Sequence, residues 1–136
     1  MNAYIDASVA LRVVFGDPGR IGDWPAFGAA VSSDLIRVEC LRAVDRARLT
    51  RGLADEEVAS QRLKVSQLLA GFNLIPIERR ILERAAAPFP TKLRTLDAIH
   101  LASALLARDR FEDLSLATHD DELALAARAM GFEVHG

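Results

Sequence analysis

Short apolar runs alternate with longer amphipathic stretches along this chain. The runs are bounded by turn residues and are too short for helices, so they favour buried strands. They predict strands at 3–5, 29–32, 72–77, 114–117 and 132–134. The stretches between them carry apolar residues at helical spacing. They predict helices at about 9–15, 21–27, 34–50, 56–70, 78–87, 96–108 and 121–130.

Small polar residues stand at several predicted helix starts, where a side-chain oxygen can accept a hydrogen bond from a free backbone N–H. The expected caps are Ser8, Ser33 or Asp34, Asp55 and Thr95. Glycines stand at predicted helix ends, where a left-handed residue commonly closes the last turn. These are Gly16, Gly52 and Gly131.

The strand–helix alternation indicates an α/β fold, because parallel strands need crossover helices that cover the faces of the sheet. We expect a central, mainly parallel sheet between two helix layers, with the strand at 3–5 in a central position. Residues 1–136 show no internal repeat, low-complexity segment or linker, so we expect a single domain.

The composition is that of a globular domain, with 51% hydrophobic and 26% charged residues. The one cysteine, Cys40, excludes a disulfide within the chain and argues against a cysteine-based zinc site. No apolar run is long enough to cross a membrane and no signal-peptide pattern is visible, so we expect a cytoplasmic protein.

Four carboxylates interrupt apolar segments: Asp6, Glu39, Asp97 and Asp120. Two follow predicted strands directly, and the others lie early in predicted helices, so all four are expected at the carboxyl edge of the sheet. Buried carboxylates are costly unless they are paired or bound to a cation. Oxygen ligands suit hard ions, so we expect a site for Mg²⁺ or Mn²⁺.

An acidic site of this kind performs phosphoryl transfer or phosphodiester hydrolysis. Cations near the acids favour a polyanionic substrate, although a solvated helix face explains them equally well. They are Arg42, Arg46, Lys92 and Arg94. The hydroxyls of Ser8 and Thr118 lie two residues from proposed ligands and could orient them. The formal net charge of −2 argues weakly against a nucleic-acid partner, but acids gathered in one pocket would leave a basic surface.

Two other enzyme classes place an acid after the first strand. A phosphatase with an aspartate nucleophile needs a second acid two residues later, where this chain has Ser8. A receiver-type signalling domain needs a lysine at a strand end, and none of the predicted strands ends in lysine. The P-loop motif of nucleoside triphosphatases is also missing from the sequence.

Four segments together resemble a known family: YIDASVALRVV, SDLIRVECLRA, LRTLDAIHLASAL and LATHDDELALAA. In this order they are similar to PIN domains, and most similar to the VapC-type ribonuclease toxins of type II toxin–antitoxin pairs. The resemblance covers essentially the whole chain and implies the three-layer α/β/α PIN fold.

The same resemblance implies a Mg²⁺- or Mn²⁺-dependent endoribonuclease whose four acids are Asp6, Glu39, Asp97 and Asp120, with Asp121 as an alternative fourth. It also implies a homodimer, a VapB-type antitoxin as partner, and structured RNA, often tRNA, as substrate. Three alternatives stay open: a PIN nuclease outside a toxin–antitoxin pair, a nuclease that cuts DNA, and a non-catalytic PIN-like binding module.

Overall fold

The computed structural model describes residues 1–16 and 28–136, and these ranges contain five strands and six helices. The strands are β1 Asn2–Ile5, β2 Ala30–Ser33, β3 Phe72–Ile75, β4 Leu114–Ala117 and β5 Val134–His135. The helices are α1 Ala7–Phe15, α2 Leu35–Arg51, α3 Asp55–Ala70, α4 Arg79–Ala86, α5 Thr95–Arg108 and α6 Asp121–Ala129. The helix predicted at 21–27 lies outside the described residues.

The strands form one sheet in the order β3-β2-β1-β4-β5, and every neighbouring pair is parallel. Tyr4 on the central strand β1 lies opposite Val31 on β2 and Leu116 on β4. The prediction of a parallel sheet with a central first strand is therefore confirmed. Since all strands point the same way, their carboxyl ends meet at one edge, where α/β proteins commonly bind ligands.

Helices cover both faces of this sheet. Side chains of β1 alternate between the faces, as expected for a strand. Tyr4 packs in a core with residues of α4, α5 and α6, whereas Ala3 and Ile5 pack in a second core with residues of α1, α2 and α3. The three-layer α/β/α architecture is confirmed. Among the described residues, no helix has the length and apolar character needed to span a membrane.

The first helix is capped differently from the prediction. Asp6 is the N-cap of α1, and its carboxylate accepts a hydrogen bond from the backbone N–H of Val9. Ser8, the predicted cap, lies inside the helix and donates its hydroxyl to Asp6 instead. Asp6 is therefore the single residue between β1 and α1, and its hydrogen bonds to α1 fix its side chain at the sheet edge.

Two other helices begin one residue earlier than predicted. Asp55 and Thr95 are the first residues of α3 and α5, and the residues before them, Ala54 and Arg94, have extended backbones and make no side-chain cap. The early start brings each polar residue into the first turn, where the partial positive charge of the helix end favours a carboxylate such as that of Asp55.

The long helix α2 follows its predicted limits closely. The hydroxyl of Ser33 accepts a hydrogen bond from the backbone N–H of Leu35 at 3.1 Å, whereas Asp34 makes no such bond. Gly52 ends the helix with a φ of 63°, a left-handed conformation that glycine adopts without steric cost. The last strand, β5, lies at the sheet edge and begins two residues later than predicted.

Candidate active site

Asp6 is the most buried of the four acids, with 4% of the residue exposed at the end of β1. Its Oδ1 accepts hydrogen bonds from the hydroxyl of Ser8 at 2.6 Å and from the N–H of Val9 at 3.3 Å. Its Oδ2 accepts from the hydroxyl of Thr118 at 2.6 Å. Burial raises the pKa of Asp6, and the two hydroxyl donors offset part of that rise.

The same two hydroxyls join the turn after β1 to the turn after β4. Ser8 Oγ accepts a hydrogen bond from the backbone N–H of His119 at 2.9 Å. Thr118 Oγ1 accepts one from the backbone N–H of Asp120 at 3.0 Å. Each hydroxyl therefore donates to Asp6 and accepts from the neighbouring turn, which holds Asp6 and Asp120 in a fixed relation.

Asp97 lies half-buried in the first turn of α5, where the charges of the other three acids act on it. Its pKa is raised to about 6, first by burial, then by the negative charges of Asp120 and Asp6, and least by that of Glu39. The favourable end of the helix dipole does not outweigh these effects. The other three carboxylates predicted to share the carboxyl edge are therefore close enough for their charges to act on Asp97.

The fourth carboxylate had two candidates, and their environments differ. Asp120 caps α6, with its Oδ1 accepting the N–H of Leu123 at 2.9 Å, and its charge acts on Asp97. Asp121 is exposed in the first turn of α6. The geometry favours Asp120.

Glu39 enters the site from α2 and is held by a buried imidazole. Its Oε1 lies 2.5 Å from His100 Nε2, and His100 Nδ1 lies 2.8 Å from the hydroxyl of Tyr4. His100 is 1% exposed on α5 and Tyr4 is fully buried on β1. Burial keeps Tyr4 a neutral phenol, because it raises the pKa of that group far more than the nearby hydroxyls of Ser32 and Ser103 lower it.

The chemistry of this donor set fits a hard divalent cation. All four acids offer oxygen, and the neighbouring thiol of Cys40 is buried with its pKa raised by burial to about 12. Asp6 accepts three hydrogen bonds, which leaves lone-pair capacity on a carboxylate with about four acceptor positions.

The described side chains do not yet converge as a coordination sphere. In residues 1–16 and 28–136, no group of three or more His, Cys, Asp or Glu side chains lies close enough to hold a metal ion. The carboxylates instead bind hydroxyls, backbone N–H groups and His100. A cation would relieve the mutual repulsion that raises the pKa of Asp97, so the electrostatics fit a metal better than the present side-chain positions do.

The cations predicted to bind a polyanion lie on the surface. Arg42 is exposed and pairs with Asp45 at 3.6 Å, and Arg46 is exposed further along α2. Lys92 and Arg94 are exposed before α5, where Arg94 immediately precedes the helix that carries Asp97. Arg42 follows Glu39 by three residues and Arg94 precedes Asp97 by three, so cations flank two of the acids, and the charge of Arg42 is shared with Asp45.

The chain belongs to the PIN-domain family, whose sequence model matches residues 3–129. It is similar to two ribonucleases of Mycobacterium tuberculosis. It is 38% identical to ribonuclease VapC46 over 92 residues, which cover 68% of this chain and 68% of that protein. It is 29% identical to ribonuclease VapC47 over 136 residues, with 95% of this chain and 92% of that protein covered.

Solved structures share the fold. A toxin–antitoxin complex from Klebsiella pneumoniae has a TM-score of 0.65 and 23% identity, covering 90% of this chain and 91% of that chain. VapBC2 from Rickettsia felis, bound to a DNA fragment from its promoter, has a TM-score of 0.62 and 11% identity, covering 99% and 98%. At these identities the likeness establishes the three-layer fold alone.

Tyr4 is the residue of this region that sequence reasoning passed over, because it reads as an ordinary strand residue. One signal was available. His100 is a polar residue on an apolar helix face, three residues after Asp97, and a buried imidazole needs hydrogen-bond partners. The sequence could not say that those partners are Tyr4 and Glu39, which lie 96 and 61 residues away along the chain.

The repulsion around Asp97 predicts a stability effect. A carboxyl pKa of about 6 means that the folded protein binds this proton more tightly than the unfolded chain does. The ionised group therefore destabilises the fold above about pH 6, and this cost is lost as the pH falls toward 4. In EDTA at about pH 8, Asp97→Asn should raise the urea midpoint of unfolding, and at about pH 4 most of that gain should vanish.

Asp121→Asn is the matched control, because it also removes a first-turn carboxylate from a helix, in this case an exposed one. It should leave the midpoint unchanged or slightly lower, since the helix dipole favours the anion. An equal gain from both variants, or a gain for Asp97→Asn that is independent of pH, would contradict the described cluster of acids.

Proposed function

We propose that this chain is a metal-dependent endoribonuclease of the VapC type, the toxin of a type II toxin–antitoxin pair. The observation that carries the proposal is the group of four carboxylates at the carboxyl edge of the sheet, where burial and then the charges of the other three acids raise the pKa of Asp97 to about 6. The similarity to two proteins named as VapC ribonucleases supports RNA as the substrate.

Asp6, Asp97 and Asp120 are proposed to hold Mg²⁺ or Mn²⁺, together with Glu39. The cation would offset their charge and act as a Lewis acid at the scissile phosphate. Ser8 and Thr118 keep Asp6 turned toward the edge by occupying one lone pair on each of its oxygens. Asp120 is held by the backbone N–H of Leu123 in the same way.

Glu39 is proposed to accept a proton from the attacking water as well as to contribute to the cation site. Water attacks phosphorus in line, its proton passes to Glu39, and the bond between phosphorus and the 3′ oxygen breaks. Solvent protonates that leaving oxygen. The reaction is a simple hydrolysis with no oxidant or covalent enzyme intermediate, and it gives one 3′-hydroxyl and one 5′-phosphate end.

Exposed cations are proposed to track the RNA backbone on both sides of the cleaved bond, with Lys92 and Arg94 before α5 and Arg42 and Arg46 on α2. A VapB-type antitoxin as partner is supported by the toxin–antitoxin complexes among the solved structures that share this fold. The homodimer, and tRNA as the particular RNA, rest on the family resemblance.

Asp6→Asn should abolish cleavage while leaving the fold intact. The amide keeps the shape and an oxygen acceptor for Ser8 and Val9 but removes the charge that a cation needs. The rate of RNA cleavage in Mg²⁺ or Mn²⁺ should fall more than the ten- to hundredfold typical of groups that only orient metal ligands. EDTA should give the same loss in the unaltered protein.

Asp55→Asn serves as the control, since Asp55 is an exposed carboxylate of the first turn of α3. It should cut RNA at the unaltered rate. Cleavage by Asp6→Asn at that rate would show that Asp6 is not part of the catalytic site. Cleavage that persists in EDTA would refute the metal requirement.

The chemistry of the product ends separates hydrolysis by water from attack by the ribose 2′-hydroxyl. With water as nucleophile, the 5′ fragment ends in a 3′-hydroxyl and the 3′ fragment begins with a 5′-phosphate. Mass spectrometry of a short labelled RNA after cleavage should show these ends. A 2′,3′-cyclic phosphate would mean that the proposed mechanism is wrong, even if the acids are required.

A further inference from the structure

We propose that Tyr4 and His100 are positioning residues that hold the Glu39 carboxylate in its working orientation through a buried chain of two hydrogen bonds. We refer to Tyr4, His100 and Glu39 together as the relay. The inference rests on the proposed function, because Glu39 is taken to work within the metal site. Neither Tyr4 nor His100 is expected to touch the RNA, since both are almost completely buried.

The direction of the two hydrogen bonds follows from the groups involved. An ionised carboxylate only accepts, so His100 Nε2 carries the proton donated to Glu39 Oε1. In a neutral imidazole the other nitrogen then has a free lone pair, and the Tyr4 hydroxyl donates to His100 Nδ1. Tyr4 therefore selects the ring tautomer that can hold Glu39.

Two serine hydroxyls near the Tyr4 hydroxyl give their own protons to backbone oxygens. Ser32 donates its hydroxyl to the backbone oxygen of Ile5 at 2.6 Å, and Ser103 donates to that of Ile99 at 2.7 Å. Each of these hydroxyls has one proton, so neither has a second to give. The Tyr4 hydroxyl carries its own proton and lies 2.8 Å from His100 Nδ1, to which it donates in the proposed relay.

The relay also fixes the ring of His100 in space. The rings of Tyr4 and His100 meet edge to face, with centroids 5.8 Å apart and planes at 76°. Tyr4 is part of the central strand and its side chain is fully buried, so it has little freedom to move. His100 cannot turn about its own axis without losing both hydrogen bonds.

Glu39 needs such a support. It has a long, rotatable side chain whose ordering costs about 1.5–2 kcal/mol of conformational entropy. Its helix, α2, packs on the opposite face of the sheet from α5, which carries His100. The hydrogen bond between Glu39 and His100 connects the two helix layers at the edge of the sheet. It uses Oε1 of Glu39 and leaves Oε2 to act in the site.

The test removes one oxygen atom far from the substrate. Tyr4→Phe keeps the buried ring but deletes the donor to His100 Nδ1, so the ring is no longer held in one tautomer. Groups that orient metal ligands typically change metal affinity or activity by ten- to hundredfold. We expect the affinity for Mn²⁺, measured without RNA by titration calorimetry, to fall about tenfold, and kcat for RNA cleavage to fall with it.

A double-mutant comparison distinguishes positioning from a general structural role. In a Glu39→Gln background the acceptor at the end of the relay has changed, so Tyr4→Phe should cause little further loss of Mn²⁺ affinity. If the Tyr4 hydroxyl merely stabilised the fold, Tyr4→Phe would reduce Mn²⁺ affinity by the same factor in both backgrounds. Ser115→Ala is the matched control. It deletes another buried hydroxyl of the sheet, which donates to the backbone oxygen of Asn2, and it should leave Mn²⁺ affinity unchanged.

The outcomes separate the two proposals. If the unaltered protein neither binds Mn²⁺ nor cuts RNA, the proposed function is wrong and the relay falls with it. If the unaltered protein binds Mn²⁺ and cuts RNA, and Tyr4→Phe has the same Mn²⁺ affinity and kcat, the relay is overturned and the proposed function stands. Equal losses for Tyr4→Phe in the unaltered background and in the Glu39→Gln background would likewise overturn the relay.

Discussion

A carboxylate at the end of a central strand has to be stabilised where water is nearly excluded, and much of this structure follows from that constraint. Asp6 is 4% exposed. Removing a charged group from water costs several kcal/mol unless hydrogen bonds or an opposite charge compensate. Its compensation comes from Ser8 and Val9 at the start of α1 and from Thr118 at the end of β4. These contacts join two turns that are far apart in sequence and determine where the site lies.

The parallel sheet turns that local arrangement into a shared site. Every described strand ends at the same edge, so acids that follow β1 and β4 meet acids that enter on α2 and α5. The hydroxyl contacts of Asp6 do not remove the repulsion among the carboxylates, since the pKa of Asp97 is still raised to about 6. His100 holds Glu39 by a hydrogen bond at this edge. The protein alone thus stabilises a cluster that a divalent cation would stabilise further.

The sequence predicted the elements and the edge better than the contacts within the site. The spacing of apolar residues and the positions of turn residues were enough to predict a parallel α/β sheet, because each strand and helix carries its own local pattern. Helix starts were less accurate, since a cap depends on a single side-chain bond. Ser8 is a residue type that often caps helices, yet Asp6 is the N-cap of α1. The buried carboxylate of Asp6 needs hydrogen-bond donors, and Ser8 is one of them. The bond between Tyr4 and His100 joins residues 96 positions apart, and no local pattern encodes it.

The location of a bound metal ion would decide whether the four carboxylates form a cation site. A crystal of the protein soaked in Mn²⁺ would be measured at an X-ray energy where manganese scatters anomalously. We expect an anomalous peak at the carboxyl edge of the sheet, with oxygens of Asp6, Asp97 and Asp120 at about 2.0–2.3 Å, as is usual for a hard divalent ion. A peak elsewhere on the protein, with none among these carboxylates, would contradict the proposed cation site.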